Sequence, residues 1–246
     1  MISNRLKRIL IFLIVLFLIS SCVGLSSRAV ESTITPVNLQ PTPTSQVLEE
    51  VDWWKTAVFY QVFVRSFYDS DGDGIGDFRG LINKLDYLND GNPQTENDLG
   101  IDALWLMPIH PSPSYHGYDV TDYYQVNPDY GTLDDFKDLI DAAHQRGVRV
   151  IMDLVINHTS TQHPWFQQAL DPQSPYHDYY IWQDENPDYT GPEGQKVWHR
   201  AANGKYYYAL FWDQMPDLNL ENPAVSQEIY QIARFWLEEA GVDGFR

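Results

Sequence analysis

The stretch VRVIMDLVINH at 148–158 decides the fold. Its first eight residues, 148–155, are mostly β-branched or otherwise apolar, a pattern that predicts a buried strand. Side chains alternate along a strand, so Asp153 and Asn157 are expected on one face, with His158 at the strand's exit. Polar residues at the carboxyl end of a buried strand are typical of barrel enzymes, whose active sites lie at that end.

Similar apolar patterns occur before and after this stretch. Apolar runs predict further strands, and apolar residues at helical spacing predict helices between them. The predicted strands are 57–64, 101–107, 148–155 and 242–245, and the predicted helices are 78–88, from Thr132 or Asp134 to Gly147, and 225–239.

Alternating strands and helices imply a parallel sheet with right-handed crossovers. A doubly wound sheet and a (β/α)8 barrel both have this alternation of strands and helices. The polar and aromatic residues with candidate chemical roles lie in long loops after the strand ends, and this arrangement favours the barrel. We therefore predict an α/β fold that forms about the first half of a (β/α)8 TIM barrel, from the first strand to the start of the fourth.

One segment, 159–222, interrupts the alternation of strands and helices between the third strand and the third helix. It is long and rich in Trp, Tyr, Pro and Asp. This composition and position predict a small inserted domain. The folded part is accordingly divided into 51–158 (first part of the barrel), 159–222 (inserted domain) and 223–246 (a barrel helix and the start of the fourth strand).

The N-terminus is typical of an export signal. A basic start precedes the apolar run Ile9–Ile19, which is shorter than the ~20 residues that span a bilayer. Two serines and Cys22 follow, and this resembles a bacterial lipobox, so we expect a signal peptide at 1–21 and lipidation of Cys22. An ordinary signal peptide with an incidental cysteine is the alternative. Residues 22–50, rich in Ser, Thr and Pro, are predicted to be a disordered linker.

The overall charge narrows the possible partners. The formal net charge is −18, and an acidic surface repels the phosphate backbone, so nucleic acid is not expected as a partner. Neutral ligands and divalent cations are compatible with an acidic surface.

An acidic loop follows the first predicted strand, with carboxylates at alternate positions and glycines between them. Oxygen ligands at this spacing can surround a Ca²⁺ ion. The predicted ligands are Asp69, Asp71, Asp73, the backbone carbonyl of Ile75, and Asp77. An EF-hand is excluded, because its twelfth position would be Gly80 instead of Glu and a strand precedes the loop. A solvated acidic turn is the alternative, although its carboxylates would repel one another without a cation.

Two further motifs carry polar or aromatic groups in loops. His116-Gly-Tyr118-Asp119 follows the second strand; the tyrosine offers a flat face to a sugar ring and the aspartate can accept hydrogen bonds from sugar hydroxyls. Met215-Pro-Asp-Leu-Asn219 closes the inserted segment. A Pro turn with an Asx cap for the next helix is an equally simple interpretation of the second motif.

Taken together, these motifs and Asp-Gly-Phe-Arg at 243–246 resemble the α-amylase family of glycoside hydrolases (family 13) over roughly 53–246. The resemblance implies substrate-binding roles for four residues. His158 matches the histidine that contacts the sugar at the cleavage site, Tyr118 the tyrosine that stacks beneath it, Asp119 an acid that contacts it, and Arg246 the arginine that orients the nucleophile. The 215–219 motif resembles that of a subgroup populated mostly by α-amylases.

The resemblance also implies a retaining mechanism with a carboxylate nucleophile, a general acid and a third acid. In the family's order all three follow beyond Arg246. We therefore expect no catalytic acid within 1–246 and no hydrolysis by these residues alone.

The leading hypothesis is the N-terminal part of a calcium-binding, membrane-tethered α-amylase that acts on starch-like glucans outside the cytoplasm. An α-glucosidase or oligo-1,6-glucosidase and a trehalose-forming isomerase are alternatives within the family. A non-catalytic surface lipoprotein that binds glucans is the alternative from another class.

Overall fold

The computed structural model describes residues 52–246. The predicted signal peptide at 1–21, Cys22 and the linker at 22–50 lie outside the described residues. The described residues belong to one compact unit. Within them, no helix combines the length and the apolar character needed to cross a bilayer.

Strands and helices alternate through most of the chain. The strands are β1 (Phe59–Val62), β2 (Ala103–Leu106), β3 (Arg149–Met152), β4 (Trp182–Gln183), β5 (Trp198–Arg200), β6 (Tyr206–Tyr208) and β7 (Gly244–Phe245). The α-helices are α1 (Val64–Phe67), α2 (Phe78–Asn83), α3 (Leu85–Leu88), α4 (Leu133–His144), α5 (Pro164–Ala169) and α6 (Pro223–Arg234), which continues as a π-helical turn, Phe235–Glu239.

The main sheet is parallel and has the order β1-β2-β3-β7. Ala103 of β2 is aligned with Phe59 of β1 on one side and with Arg149 of β3 on the other. Because all four strands run the same way, their carboxyl ends lie along one edge. The α/β class is thus confirmed.

Helix α4 shows how the sequence specifies these elements. Thr132 and Asp135 form a capping box: the Thr132 hydroxyl accepts from the Asp135 N–H, and the Asp135 carboxylate accepts from the Thr132 N–H at 2.8 Å. The apolar face predicted from the spacing is buried, with Phe136 and Leu139 fully inaccessible. The helix ends at His144, and Gly147 supplies the positive φ of 74° that leads into β3.

Helix α6 starts two residues before its predicted start, at Pro223. The Asn222 side chain caps it by accepting from the Ala224 N–H at 3.0 Å. The alternative interpretation of the 215–219 motif, an Asx cap for this helix, is therefore wrong, because the capping residue Asn222 lies three positions after Asn219.

Other elements are shorter than predicted. The predicted helix at 78–88 is broken at Lys84, whose N–H bonds to the Leu81 carbonyl at 3.0 Å and tightens the turn. The predicted strand at 148–155 ends at Met152, so strand alternation does not extend to Asn157. Asp153 is buried, whereas Asn157 is exposed, and their expected common face is wrong.

The segment between β3 and α6 contains α5 and a second, antiparallel sheet with the order β4-β6-β5. It has its own small apolar cluster around Phe166, Tyr180 and Tyr207. Phe166 packs edge-on against Tyr180, with ring centroids 5.0 Å apart. These features agree with the composition of 159–222, and the inserted domain stays a prediction.

Candidate functional site

A cavity of about 410 Å³ opens at the carboxyl edge of the main sheet. The loop after β2, the segment after β3, the inserted segment and the residue following β7 all contribute to it. Its lining residues are His116, Tyr118, His158, Phe211, Met215 and Arg246. Three of the four residues predicted to bind substrate, Tyr118, His158 and Arg246, are therefore brought together at one site.

Tyr118 is held in place through its hydroxyl group, which donates a 2.7 Å hydrogen bond to Asp153 Oδ2. Burial, followed by this hydrogen bond, raises the pKa of Tyr118 to about 12, so the phenol stays protonated at neutral pH. Asp153 is itself buried and accepts a second bond at Oδ1 from the Trp105 indole N–H, at 2.8 Å. The carboxylate thus connects the β2 strand to the loop that carries Tyr118.

Arg246 reaches the same carboxylate. Its Nη1 lies 3.6 Å from Asp153 Oδ1, and its guanidinium lies over the Trp105 ring at 5.1 Å from the centroid. The arginine side chain remains 59% exposed. Its position at the cavity leaves the guanidinium accessible to a ligand.

His158 is linked directly to Tyr118. The His158 ring nitrogen Nε2 lies 3.0 Å from the Tyr118 backbone carbonyl. A carbonyl only accepts, so Nε2 carries the proton in this contact. Burial lowers the pKa of His158, and the ring is therefore neutral at neutral pH.

Asp119 is the predicted substrate-binding residue that does not line the cavity. It is only 1% exposed, and its carboxylate accepts hydrogen bonds from the Ser112 and Ser114 hydroxyls, the first at 2.6 Å. His116 Nδ1 lies 3.9 Å from the same carboxylate. In this structure Asp119 supports the loop that carries His116 and Tyr118.

The 215–219 motif connects the inserted segment to the end of β3. Asp217 Oδ2 accepts from the Asn157 amide at 3.0 Å, and Oδ1 accepts from the Leu210 N–H at 2.9 Å. Backbone bonds link Thr159 to Pro216 and Leu218 to Asn157. Burial raises the pKa of Asp217. The motif therefore holds Met215 and His158 on adjoining parts of the cavity wall.

The acidic loop brings together three of its four predicted carboxylates. Asp69, Asp71 and Asp77 each offer an oxygen within 4.8 Å of the other two. Asp73 is not part of this group; its Oδ1 accepts from the Ile75 N–H at 2.7 Å. The backbone N–H groups of Gly72 and Gly74 hydrogen-bond to the Asp69 carboxylate and lower its pKa, which keeps it ionised as a ligand must be.

Gly72 and Gly74 have φ of 88° and 93°. Other residues adopt such angles only under strain, so these glycines let the acidic loop turn back on Asp69.

Three residues of the site received no role from the sequence. Asp153 was seen at the strand end, but only the fold shows that it joins Tyr118, Trp105 and Arg246. His116 lies in the motif that contains Tyr118, and this was the one available signal for it. Phe211 had no distinguishing signal, because aromatic residues are frequent throughout the inserted segment.

Comparisons with known proteins agree on one family. The model of the family described as "Alpha amylase, catalytic domain" matches residues 61–246. Alpha-amylase 3 of Dictyoglomus thermophilum is 56% identical over 195 residues, which cover 79% of this chain and 36% of the relative. An oligo-1,6-glucosidase of Parageobacillus thermoglucosidasius is 46% identical over 202 residues, which cover 79% of this chain and 34% of the relative.

Among solved structures, the crystal structure of an alpha-amylase from H. orenii superposes with a TM-score of 0.73 at 60% identity. The match covers 77% of this chain and 39% of that one. The chain thus spans about a third of the length of the curated relatives that it matches.

Proposed function

Because the chain belongs to the alpha-amylase family, we propose that the protein is an α-amylase that hydrolyses α-glucosidic bonds of starch-like glucans with retention. The cavity binds the glucose unit at the cleaved bond. The observation that carries this proposal is the meeting of Tyr118 and His158. They follow different strands, line one cavity and are joined by a 3.0 Å hydrogen bond.

Three of the six lining residues have a chemical part in binding a sugar. The Tyr118 ring offers an apolar surface to the C–H groups of a pyranose, and its hydroxyl is engaged by Asp153. The neutral His158 ring is a polar group among apolar walls, an arrangement that orients a ligand. Arg246 presents a positive charge where the family resemblance places the nucleophile, and such a charge keeps a carboxylate ionised.

The fold proposed for the whole catalytic domain is a (β/α)8 barrel with 159–222 as its inserted domain. The strand order β1-β2-β3-β7 supports this, because consecutive parallel strands lie side by side without reversal. A doubly wound sheet reverses its strand order at a switch point, whereas a barrel does not.

The acidic loop is proposed to hold a Ca²⁺ ion through Asp69, Asp71 and Asp77. Calcium–oxygen bonds of 2.3–2.6 Å allow two ligands of one ion to lie up to about 5 Å apart. The mutual separations within 4.8 Å satisfy this limit. Asp73 and the Ile75 carbonyl remain proposed ligands from the spacing. An ion there would stabilise the loop between α1 and α2.

We further propose export and anchoring through a lipid on Cys22, on the strength of the basic and apolar residues that precede it. Labelling of growing cells with radioactive palmitate tests this. The protein should be labelled and the Cys22→Ser variant should not. Equal labelling of both, or of neither, contradicts the anchor.

The activity is tested on the full-length protein that contains these residues. Amylose is the substrate, and the products are separated by chain length, with the anomer followed by proton NMR. A spread of α-configured maltooligosaccharides supports the proposal. Glucose alone favours an α-glucosidase, and trehalose from maltose favours the isomerase. Glucan binding without turnover favours the non-catalytic lipoprotein.

The role of the cavity is tested with Tyr118→Ala. Its matched control is Tyr230→Ala, which removes an exposed tyrosine of α6 that does not line the cavity. We expect the first variant to lose most glucan turnover and the second to keep it. Equal activity of the two variants would contradict the assignment of the cavity.

A further inference from the structure

We propose that Tyr123, a buried residue of the loop after β2, is a positioning residue that holds His158 in the wall of the cavity. Tyr123 does not itself line the cavity, so its effect on a ligand passes through the histidine. The inference rests on the proposed function, because it concerns how the sugar-binding site is kept in place.

The Tyr123 hydroxyl contacts two backbone carbonyls of the segment that carries His158. It lies 2.8 Å from the Val155 oxygen and 3.0 Å from the His158 oxygen. A carbonyl only accepts, so the phenol donates its proton to this pair of oxygens. Burial raises the pKa of Tyr123, and the hydroxyl therefore remains a donor at neutral pH.

This contact lies where the chain leaves the main sheet. Strand β3 ends at Met152, although the Leu154 N–H still donates to the carbonyl of the residue that follows β7, at 3.1 Å. Further along, the Thr159 N–H donates to the Pro216 carbonyl of the inserted segment at 3.2 Å. Tyr123 ties the residues between these two points to the loop after β2.

The same loop also holds the His158 ring. The ring donates from Nε2 to the Tyr118 carbonyl, 3.0 Å away. The loop after β2 thus contacts His158 at two points, the ring through Tyr118 and the backbone through Tyr123. Two such contacts define the direction of the side chain, which a binding site needs in order to orient its ligand.

Tyr123 is a rigid support because its own position is fixed on several sides. It is only 2% exposed. Its ring stacks on Trp165 of α5, with centroids 5.6 Å apart, and packs edge-on against His110 at 5.8 Å. Its carbonyl accepts from the indole N–H of Trp236, in the π-helical turn that continues α6, at 2.7 Å. These contacts keep the hydroxyl in one place relative to His158.

The test is a double-mutant cycle on the full-length protein, measured as kcat/KM for amylose. Tyr123→Phe keeps the packed ring and removes only the hydroxyl. It is made in the unaltered protein and in the His158→Ala variant. The matched control is Tyr207→Phe, made in the same two proteins. It removes another buried hydroxyl that donates to a backbone carbonyl, that of Asp213 at 2.6 Å.

We expect Tyr123→Phe to lower kcat/KM of the unaltered protein by about three- to tenfold, the effect of one lost hydrogen bond. In the His158→Ala background the same change should cost less than about twofold, because two residues that act together are not additive. Tyr207→Phe should have the same effect in both backgrounds to within about twofold. A tyrosine that only stabilised the fold would behave as this control does.

Failure of the inference is distinguishable from failure of the proposed function. If the unaltered protein does not hydrolyse amylose, the proposed function fails. If it does, but Tyr123→Phe costs the same in both backgrounds or costs nothing in the unaltered protein, the function stands and this inference is overturned. It is also overturned if the effect of Tyr207→Phe depends on His158 as strongly as that of Tyr123→Phe.

Discussion

The Tyr118 hydroxyl donates to Asp153 Oδ2 at 2.7 Å, and this bond joins the loop after β2 to the residue that follows β3. Asp153 is buried, yet it is an acceptor for Tyr118 and Trp105 and lies beside the Arg246 guanidinium. A buried carboxylate is stable only when such donors satisfy it. The orientation of the cavity's aromatic wall and the hydrogen bonding of Asp153 therefore depend on each other.

Replacing Tyr118 with Phe should lower the free energy of unfolding by about 1–3 kcal/mol. The substitution keeps the ring but leaves the buried Asp153 carboxyl group with one donor fewer. Urea denaturation followed by tryptophan fluorescence measures the change. Tyr230→Phe, at an exposed position, is the control and should leave stability within about 0.5 kcal/mol. Equal stability of the Tyr118 variant and the unaltered protein would show that Asp153 does not depend on this donor.

Removal of calcium with EDTA should lower the melting temperature, and added Ca²⁺ should restore it. A ligand that binds only the folded state stabilises it by about 2.7 kcal/mol at a hundredfold excess over Kd. Asp69→Asn should abolish most of this response, because it removes a charged ligand from the cluster. Asp188→Asn, an exposed aspartate outside the cluster, should retain it. A melting temperature that EDTA does not change would favour a solvated acidic turn.

Mild acid should destabilise the protein partly through His163. This buried residue caps α5, where its Nδ1 accepts from the Trp165 N–H at 3.1 Å. Burial lowers the pKa of His163 to about 4 from its ordinary 6.5. Between these two values the unfolded chain binds more protons than the folded one, so stability falls as pH falls. The slope for one such group is at most about 1.4 kcal/mol per pH unit.

His163→Asn isolates this effect, because asparagine supplies a capping oxygen that does not titrate. Thermal unfolding at pH 7 and pH 5 should show a smaller difference for the variant than for the unaltered protein. The Asp217 carboxyl, whose pKa is raised, titrates in both proteins and cancels in the comparison. Identical pH dependence in the two proteins would argue against a neutral His163 in the fold.

Asp217→Ala should destabilise the connection between the inserted segment and the end of β3. It leaves the Leu210 N–H and the Asn157 amide without their acceptor. Neither donor is fully buried, so each lost hydrogen bond costs about 0.5–1.5 kcal/mol. Hydrogen exchange at Leu210 should accelerate in the variant. The control Asp213→Ala removes a nearby carboxylate whose side chain makes a single long contact of 3.4 Å. Comparable losses in both variants would contradict the proposed connection.

Much of the fold was predictable from local pattern. Continuous apolar runs located the strands β1, β2 and β3, and helical spacing located the buried face of α4, because positions that face the core must be apolar. Element ends were less predictable. Helix α6 begins at Pro223 because Asn222 caps it, and the helix predicted at 78–88 breaks at Lys84 through a single tightened turn.

For the candidate site, the motifs predicted Tyr118, His158, Arg246 and the acidic loop, because particular residue types at particular spacings carry their chemistry within a few positions. Features that depend on contacts between distant segments were decided only by the tertiary structure. In the folded chain Asp119 accepts hydrogen bonds from two serines, Asp73 lies outside the group of three carboxylates, and Phe211 lines the cavity. The fold also made Asp153 a shared acceptor, since residues as far apart as 105, 118 and 246 converge only when parallel strands bring their carboxyl ends to one edge.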